Sequence, residues 1–162
     1  MEEAFQLLEI DSYILLLETL CQIGGVVVQD FRYTKMDKEK IEPAYSFGYG
    51  LSYTRFEISR CAVSENEDAY TVTATVKNTG ERDGAEVVQV YTGSRGAADG
   101  EDRPVKLLKG FQRVELNAGE EKNVCITVPK EELKFWTPGG WVLDEAYSFY
   151  VGSDSRNVQP VV

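Results

Sequence analysis

The sequence contains no histidine. Its absence removes the commonest general base, the usual activator of a serine or cysteine nucleophile, and the commonest metal ligand. Cysteine is scarce: Cys21, Cys61 and Cys125 are odd in number, far apart and never in a CxxC pair. That excludes zinc-ribbon and thioredoxin-like chemistry and predicts free thiols. Basic residues are outnumbered, 17 Lys and Arg against 27 Asp and Glu, for a formal charge of −10. Such a surface repels a phosphate backbone, so nucleic acid is not an expected partner. Long hydrophobic runs are missing as well. The run from Tyr13 to Leu17, bracketed by Asp11 and Glu18, is too short to span a bilayer, so no membrane partner is expected either. The first residues, MEEAFQLLEID, are acidic where a signal peptide begins basic; taken as complete, the chain is expected in the cytoplasm.

What is present suits one folded domain with an extension. The 162 residues are 43% hydrophobic and 27% charged, enough apolar material for a core without metal or disulfide staples. Residues 3–22 carry the one long stretch of helical periodicity, with Phe5, Leu8, Ser12, Leu15, Leu16 and Leu20 near one face. This reads as an amphipathic helix seeking a partner surface, since its polar side is acidic rather than basic as at a membrane surface. Gly24 and Gly25 stop it. A short VVV run follows, and TKMDKEKIEP is a charged connection closed by Pro43. Residues 1–43 are therefore a helix and linker, and residues 44–162 the domain.

From about residue 51 the pattern changes to period two, beginning with LSYTRFEIS. Tyr70, Val72, Ala74 and Val76 alternate with Thr71, Thr73 and Thr75, a strand with one buried face. NTGERDG is a turn, and EVVQVYTG a strand with Val88 and Val90 on one side. In LLKGFQRVEL, Gly110 marks a bulge or a close backbone approach. After the NAGEE turn, Val124, Ile126 and Val128 point one way; PKEEL makes a helical turn begun by Pro129. TPGG turns into WVLD, and Tyr147, Phe149 and Val151 alternate in the final strand. About seven short strands without a crossover helix define an all-β antiparallel sandwich of immunoglobulin type. The Cys…Trp…Cys spacing of antibody domains is missing, which favours a fibronectin type III-like variant.

Residues 44–57, AYSFGYGLSYTRFE, crowd Tyr45, Phe47, Tyr49, Tyr53 and Phe56 around Gly48 and Gly50. FGYGLSYTRFE, VKNTGERDGAEVVQVY, RPVKLLKGFQRVEL with NAGEE, and YSFYVGSDSR closely resemble the C-terminal fibronectin type III-like domain of glycoside hydrolase family 3, the β-glucosidases and β-xylosidases. The resemblance runs in order over residues 44–157; Phe31, Arg32 and Tyr33 look like the aromatic–Arg–aromatic run of the linker that enters that domain. Two departures leave the strand pattern intact: Ser46 stands where Pro is common, and Glu145, Ala146 and Tyr147 replace a usual Gly-Glu-Tyr.

The resemblance implies a non-catalytic accessory role. In the family the nucleophile is an Asp, usually in a Ser-Asp-Trp setting on a barrel domain, and the acid/base carboxylate sits on the next α/β domain. No Ser-Asp-Trp occurs here, and a barrel needs about 250 residues. The expected partners are thus the catalytic domains of a family 3 glycosidase. Tyr45, Phe47, Tyr49 and Tyr53 would wedge between domains, or else cap one end of the sandwich. An apolar surface left uncovered would also make the chain a homo-oligomer. The loop GSRGAADGEDRP (93–104) reads as a surface loop or as one reaching a substrate rim through Arg95, Asp99 and Arg103. Calcium held by Asp99, Glu101 and Asp102 is a further reading without an EF-hand frame, and no cofactor is expected. Trp136 and Trp141 flank a turn and could stack on sugars, although the family pattern assigns them to the sandwich edge and core. The competing class is a stand-alone module that binds carbohydrate or protein.

Overall fold

The computed structural model describes residues 32–95, 103–137, 139–144 and 146–161, and residues 32–162 make up one compact unit. The helix expected over residues 3–22, the VVV strand and Cys21 lie outside the described residues, as do Asp99, Glu101 and Asp102.

Two antiparallel sheets form the sandwich. One has three strands in the order β1-β2-β5, with β1 Phe56–Glu65, β2 Ala69–Asn78 and β5 Glu121–Pro129. The other has four, β4-β3-β8-β9, with β3 Gly84–Ser94, β4 Leu107–Leu116, β8 Tyr147–Gly152 and β9 Val158–Val161. Period-two patterning puts the branched side chains inside. Val72, Ala74, Val76, Val124, Ile126 and Val128 of the first sheet meet Val88, Val90, Val114, Leu116, Phe149 and Val151 of the second. Fully burying one such valine contributes about 1.5–3 kcal/mol. The valines and Ile126 suit a thin sandwich because β-branched side chains pack at close spacing and lose little rotamer freedom in strands.

Gly110 serves both purposes expected of it. The β3–β4 register shifts between Val90 and Tyr91, whose partners are Gly110 and Leu108. A Cβ on Gly110 would stand 2.6 Å from Ile126 Cγ2, so the two sheets approach over this residue. The PKEEL turn is a 3-10 turn, Lys130–Leu133, entered from Pro129, and it drops Leu133 into the core.

Among the described residues the sandwich has seven strands, but not the seven read from the sequence. The first begins at Phe56 rather than Leu51, because Thr54 and Arg55 are held to Asn78 and Thr79 just before it. WVLD contributes to no sandwich strand: β6 Phe135–Thr137 and β7 Gly140–Val142 form a separate hairpin. The seventh is β9, a four-residue edge strand whose Pro160 is tolerated because an edge needs no donor on its open side. Trp136 and Trp141 are accordingly in neither core nor sandwich edge, and both are exposed. The charged connection also contains a helix, α1 Arg32–Glu39. It closes with a Schellman arrangement: Lys40 adopts φ 56°, and the Ile41 N–H donates to the Met36 carbonyl at 2.9 Å.

Asn78, fully buried at the end of β2, stitches the pieces together. Its Nδ2 donates to the carbonyls of Arg82 (2.7 Å) and Leu116 (3.2 Å). Its Oδ1 accepts from the Thr54 hydroxyl (2.7 Å) and the Gly80 N–H (3.1 Å). The whole capacity of the amide is used, as burial demands.

Candidate functional site

The aromatic segment lies along the outer face of the four-stranded sheet. Val88 and Val90 point into the core, so Gln89 and Tyr91 point outward, yet both are buried because this segment covers them. Gln89 Nε2 donates to the Gly48 carbonyl (3.1 Å) and to the Ser153 carbonyl. The Tyr91 hydroxyl donates to Gln89 Oε1 (2.5 Å), with the Phe47 carbonyl 3.3 Å away. Burial, followed by the charges of Asp154 and Asp37, pushes the Tyr91 phenol well above its ordinary value, so it stays a neutral donor.

A second clamp sits at residues 153–157. Asp154 Oδ1 accepts from the Ser46 hydroxyl (2.7 Å) and from the N–H groups of Arg156 (2.8 Å) and Asn157 (2.9 Å). Burial raises the Asp154 carboxyl, but the Ser46 and backbone donors outweigh it and hold the group below its ordinary value. The Ser155 N–H donates to the Phe47 carbonyl at 2.8 Å. Arg156 reaches back to α1, pairing with Asp37 at 2.9 Å and donating to the Ile41 carbonyl at 3.0 Å. Gly48 makes the tight fit possible: its φ is +81°, and a Cβ there would stand 2.1 Å from Gln89 Oε1.

The polar atoms of the segment are thus used inward and its rings outward. Tyr45 is 67% exposed and Tyr53 93%, with Phe47 and Tyr49 also exposed. Tyr45 and Tyr49 meet at 5.4 Å between ring centroids. Phe56 alone of the five turns in, packing against the core. The rings at 45, 47, 49 and 53 are not part of the core cluster. Ile41 and Leu51 extend the exposed apolar surface, and Phe111, the register partner of Gln89, adds to it on the same sheet face.

The loop residues fall elsewhere. Arg95 donates from Nε to Ser148 Oγ (2.8 Å) and from its N–H to the Ala146 carbonyl (3.1 Å). Arg103 is largely buried. Its guanidinium pairs with Asp144 at 2.5 Å, the two side chains being 16% and 9% exposed, and lies 3.5 Å from the Phe135 ring centroid. Ser94 joins this cluster, donating to Asp144 and accepting from Arg103 (3.1 Å).

Asp144 and Asp154, both largely enclosed, are therefore engaged in holding the fold. Among the described residues, Glu86 is the carboxyl held above its ordinary value, by burial against the lowering effect of the Val87 N–H. Glu57 shares its groove but is exposed. Among the described residues no three His, Cys, Asp or Glu side chains gather as metal ligands, and no helix is long and apolar enough to cross a membrane. Asn78, Gln89, Asp154 and Arg156 were not singled out by sequence reasoning. The signal was there for the last two, in the GSDSR turn, but Gln89 looked like any outward strand residue.

Among the described residues, Asp144 and Asp154 are tied into the sandwich by ion pair and hydrogen bonds, and the best-anchored surface is aromatic. Comparison with known proteins gives the chain a family. Residues 86–155 match the model of the fibronectin type III-like domain. The chain is 35% identical over 152 residues to a probable β-glucosidase M of Emericella nidulans, covering 78% of this chain and 19% of that protein. Solved structures agree. DesR, a β-glucosidase from Streptomyces venezuelae, superposes with a TM-score of 0.73 at 34% identity, over 80% of this chain and 18% of that one. β-Glucosidase 3B from Thermotoga neapolitana gives 0.71 at 40% identity, over 78% and 18%. The chain belongs to the fibronectin type III-like accessory domains of the family 3 glycoside hydrolases, and it spans about a fifth of the length of the curated relatives it matches.

Proposed function

We propose that this domain braces the catalytic domains of a β-glucosidase-type enzyme, with Tyr45, Phe47, Tyr49 and Tyr53 as the contact. Residues 1–43 would be the helix and linker that lead into it. The observation behind this is a segment held by hydrogen bonds to residues 41–108 positions away while four rings stay exposed. Ordered exposed aromatic rings supply large contact area at little entropic cost on binding. The loop 93–104 would touch the substrate rim through Arg95 and Asp99, with Arg103 holding its base against Asp144 and Phe135.

An uncovered contact surface should pair with itself. Sedimentation velocity of the 162-residue chain is expected to show concentration-dependent self-association. Replacing Tyr45 and Tyr53 by Ser should weaken it while leaving thermal unfolding unchanged. A strict monomer at high concentration argues against the contact. The stand-alone binding module differs in predicting no such association.

A further inference from the structure

Trp136 and Trp141 are the chain's two tryptophans, and the bracing role leaves both unused. They are direct partners across the β6–β7 hairpin. Phe135, beside them, turns to the other face, where Arg103 lies over its ring. The two indoles therefore share the outward face. Each is 66% exposed, their centroids are 5.6 Å apart, and their planes meet at 75°. The result is an open corner with two nearly perpendicular aromatic walls.

We propose that this corner is a stacking site for an uncharged, β-linked glucopyranose ring. An all-equatorial pyranose presents C–H groups on its faces and hydroxyls around its rim. One indole plane can take a C–H face while the second indole blocks one edge, which orients the sugar and leaves the remaining hydroxyls in water. The formal charge of −10 disfavours an anionic ligand and costs a neutral one nothing. The hairpin is also prearranged. The Thr137 hydroxyl donates to the Gly140 carbonyl (2.9 Å) and accepts from the Gly139 N–H (3.2 Å), and the buried Arg103–Asp144 pair secures Phe135 from behind. Little ordering is left to be done on binding. The choice of glucose rests on the β-glucosidase reading above; the corner itself does not.

Because both tryptophans lie in the corner, fluorescence excited at the red edge, where tyrosine does not absorb, reports on it alone. Titrating the chain with cellotriose should shift the emission saturably to shorter wavelength. Trp136→Ala and Trp141→Ala should each weaken binding about tenfold or more, judged from stacked rings elsewhere. Their melting temperatures should stay unchanged, since neither side chain is in the core. No shift up to about 20 mM cellotriose would overturn the site. So would an equal response in both variants, or a response only to a family 3 catalytic core, which would make the corner a protein contact. Binding of maltotriose but not cellotriose would refute the β-linkage, and binding of xylotriose but not cellotriose would refute the glucose assignment; either leaves the bracing role untouched.

Discussion

Replacing Gly48 by Ala tests whether the aromatic segment is clamped as described. Two costs follow from the structure. The residue sits at φ +81°, where an L side chain is strained by about 1–2 kcal/mol. The new Cβ would also stand 2.1 Å from Gln89 Oε1 and 2.8 Å from its Cδ and Nε2, far inside contact distance. Gln89 must then move, and with it go its bonds to the Gly48 and Ser153 carbonyls and the bond it accepts from Tyr91. At about 1 kcal/mol net for each, the total is about 4 kcal/mol. With a urea m-value of about 2 kcal/mol/M, the unfolding midpoint should fall by about 2 M with an unchanged slope. Gly50→Ala is the control. No atom lies within 4 Å of a Cβ there, so its midpoint should barely move. Adding Gln89→Ala to Gly48→Ala removes the clash, so the double variant should lose less than the sum of the singles. A Gly48→Ala loss under about 1 kcal/mol, or equal losses at both glycines, would refute the clamp.

Two further outcomes follow from the charged groups. Arg103→Met strands Asp144, whose side chain is 9% exposed, and should cost about 3–5 kcal/mol in chemical denaturation. Adding Asp144→Leu should recover much of that loss; a double variant as unstable as the single would show that the charges are not what matters. Asp154 is held below its ordinary carboxyl value, so its contribution is complete above the unfolded value of about 3.9 and is lost as pH falls through the lower folded value. The stability gap between the natural chain and Asp154→Asn should therefore be constant above about pH 5 and shrink below about pH 4. A gap independent of pH would contradict the assigned hydrogen bonds.

The alternating strands were legible because each buries one face, which leaves a period-two record in single residues such as Val72, Ala74 and Val76. Gly110 was legible for a related reason: a glycine inside a strand implies a crowded neighbour. Where tertiary contacts override local pattern, the reading went astray. Strand β9 is four residues long and contains Pro160, so nothing local marks it; its partner β8 makes it a strand. Helix α1 has little apolar periodicity, and part of its hold comes from Arg156, 119 positions after Asp37. LSYTR has strand-like composition, but Thr54 spends its hydroxyl on Asn78 and the Arg55 carbonyl accepts from Thr79, which divert the chain before β1 begins. In the site, the rings were visible and the clamp was not. Ser46 and Asp154 are 108 residues apart, and no spacing rule joins them.

The direction of the rings follows from what fixes the backbone beneath them. The sandwich grips the carbonyls of Phe47 and Gly48 and the hydroxyls of Ser46 and Thr54, and these contacts do not depend on which side chains stand at 45, 47, 49 and 53. Phe56 shows the alternative: where the fold needs an aromatic ring, the ring is turned into the core. Had the segment served only to close the sandwich, its remaining rings would gain most by turning in as well, since burying one is favourable by about 1.5–3 kcal/mol. They remain outside the core on a backbone that is already ordered, so a contact made through them would cost little further chain entropy. Under the proposed bracing role, folding and contact fall to different atoms of the same residues. That separation is why ring substitutions at Tyr45 and Tyr53 read out the surface, while substitutions at Gly48 and Asp154 read out the fold.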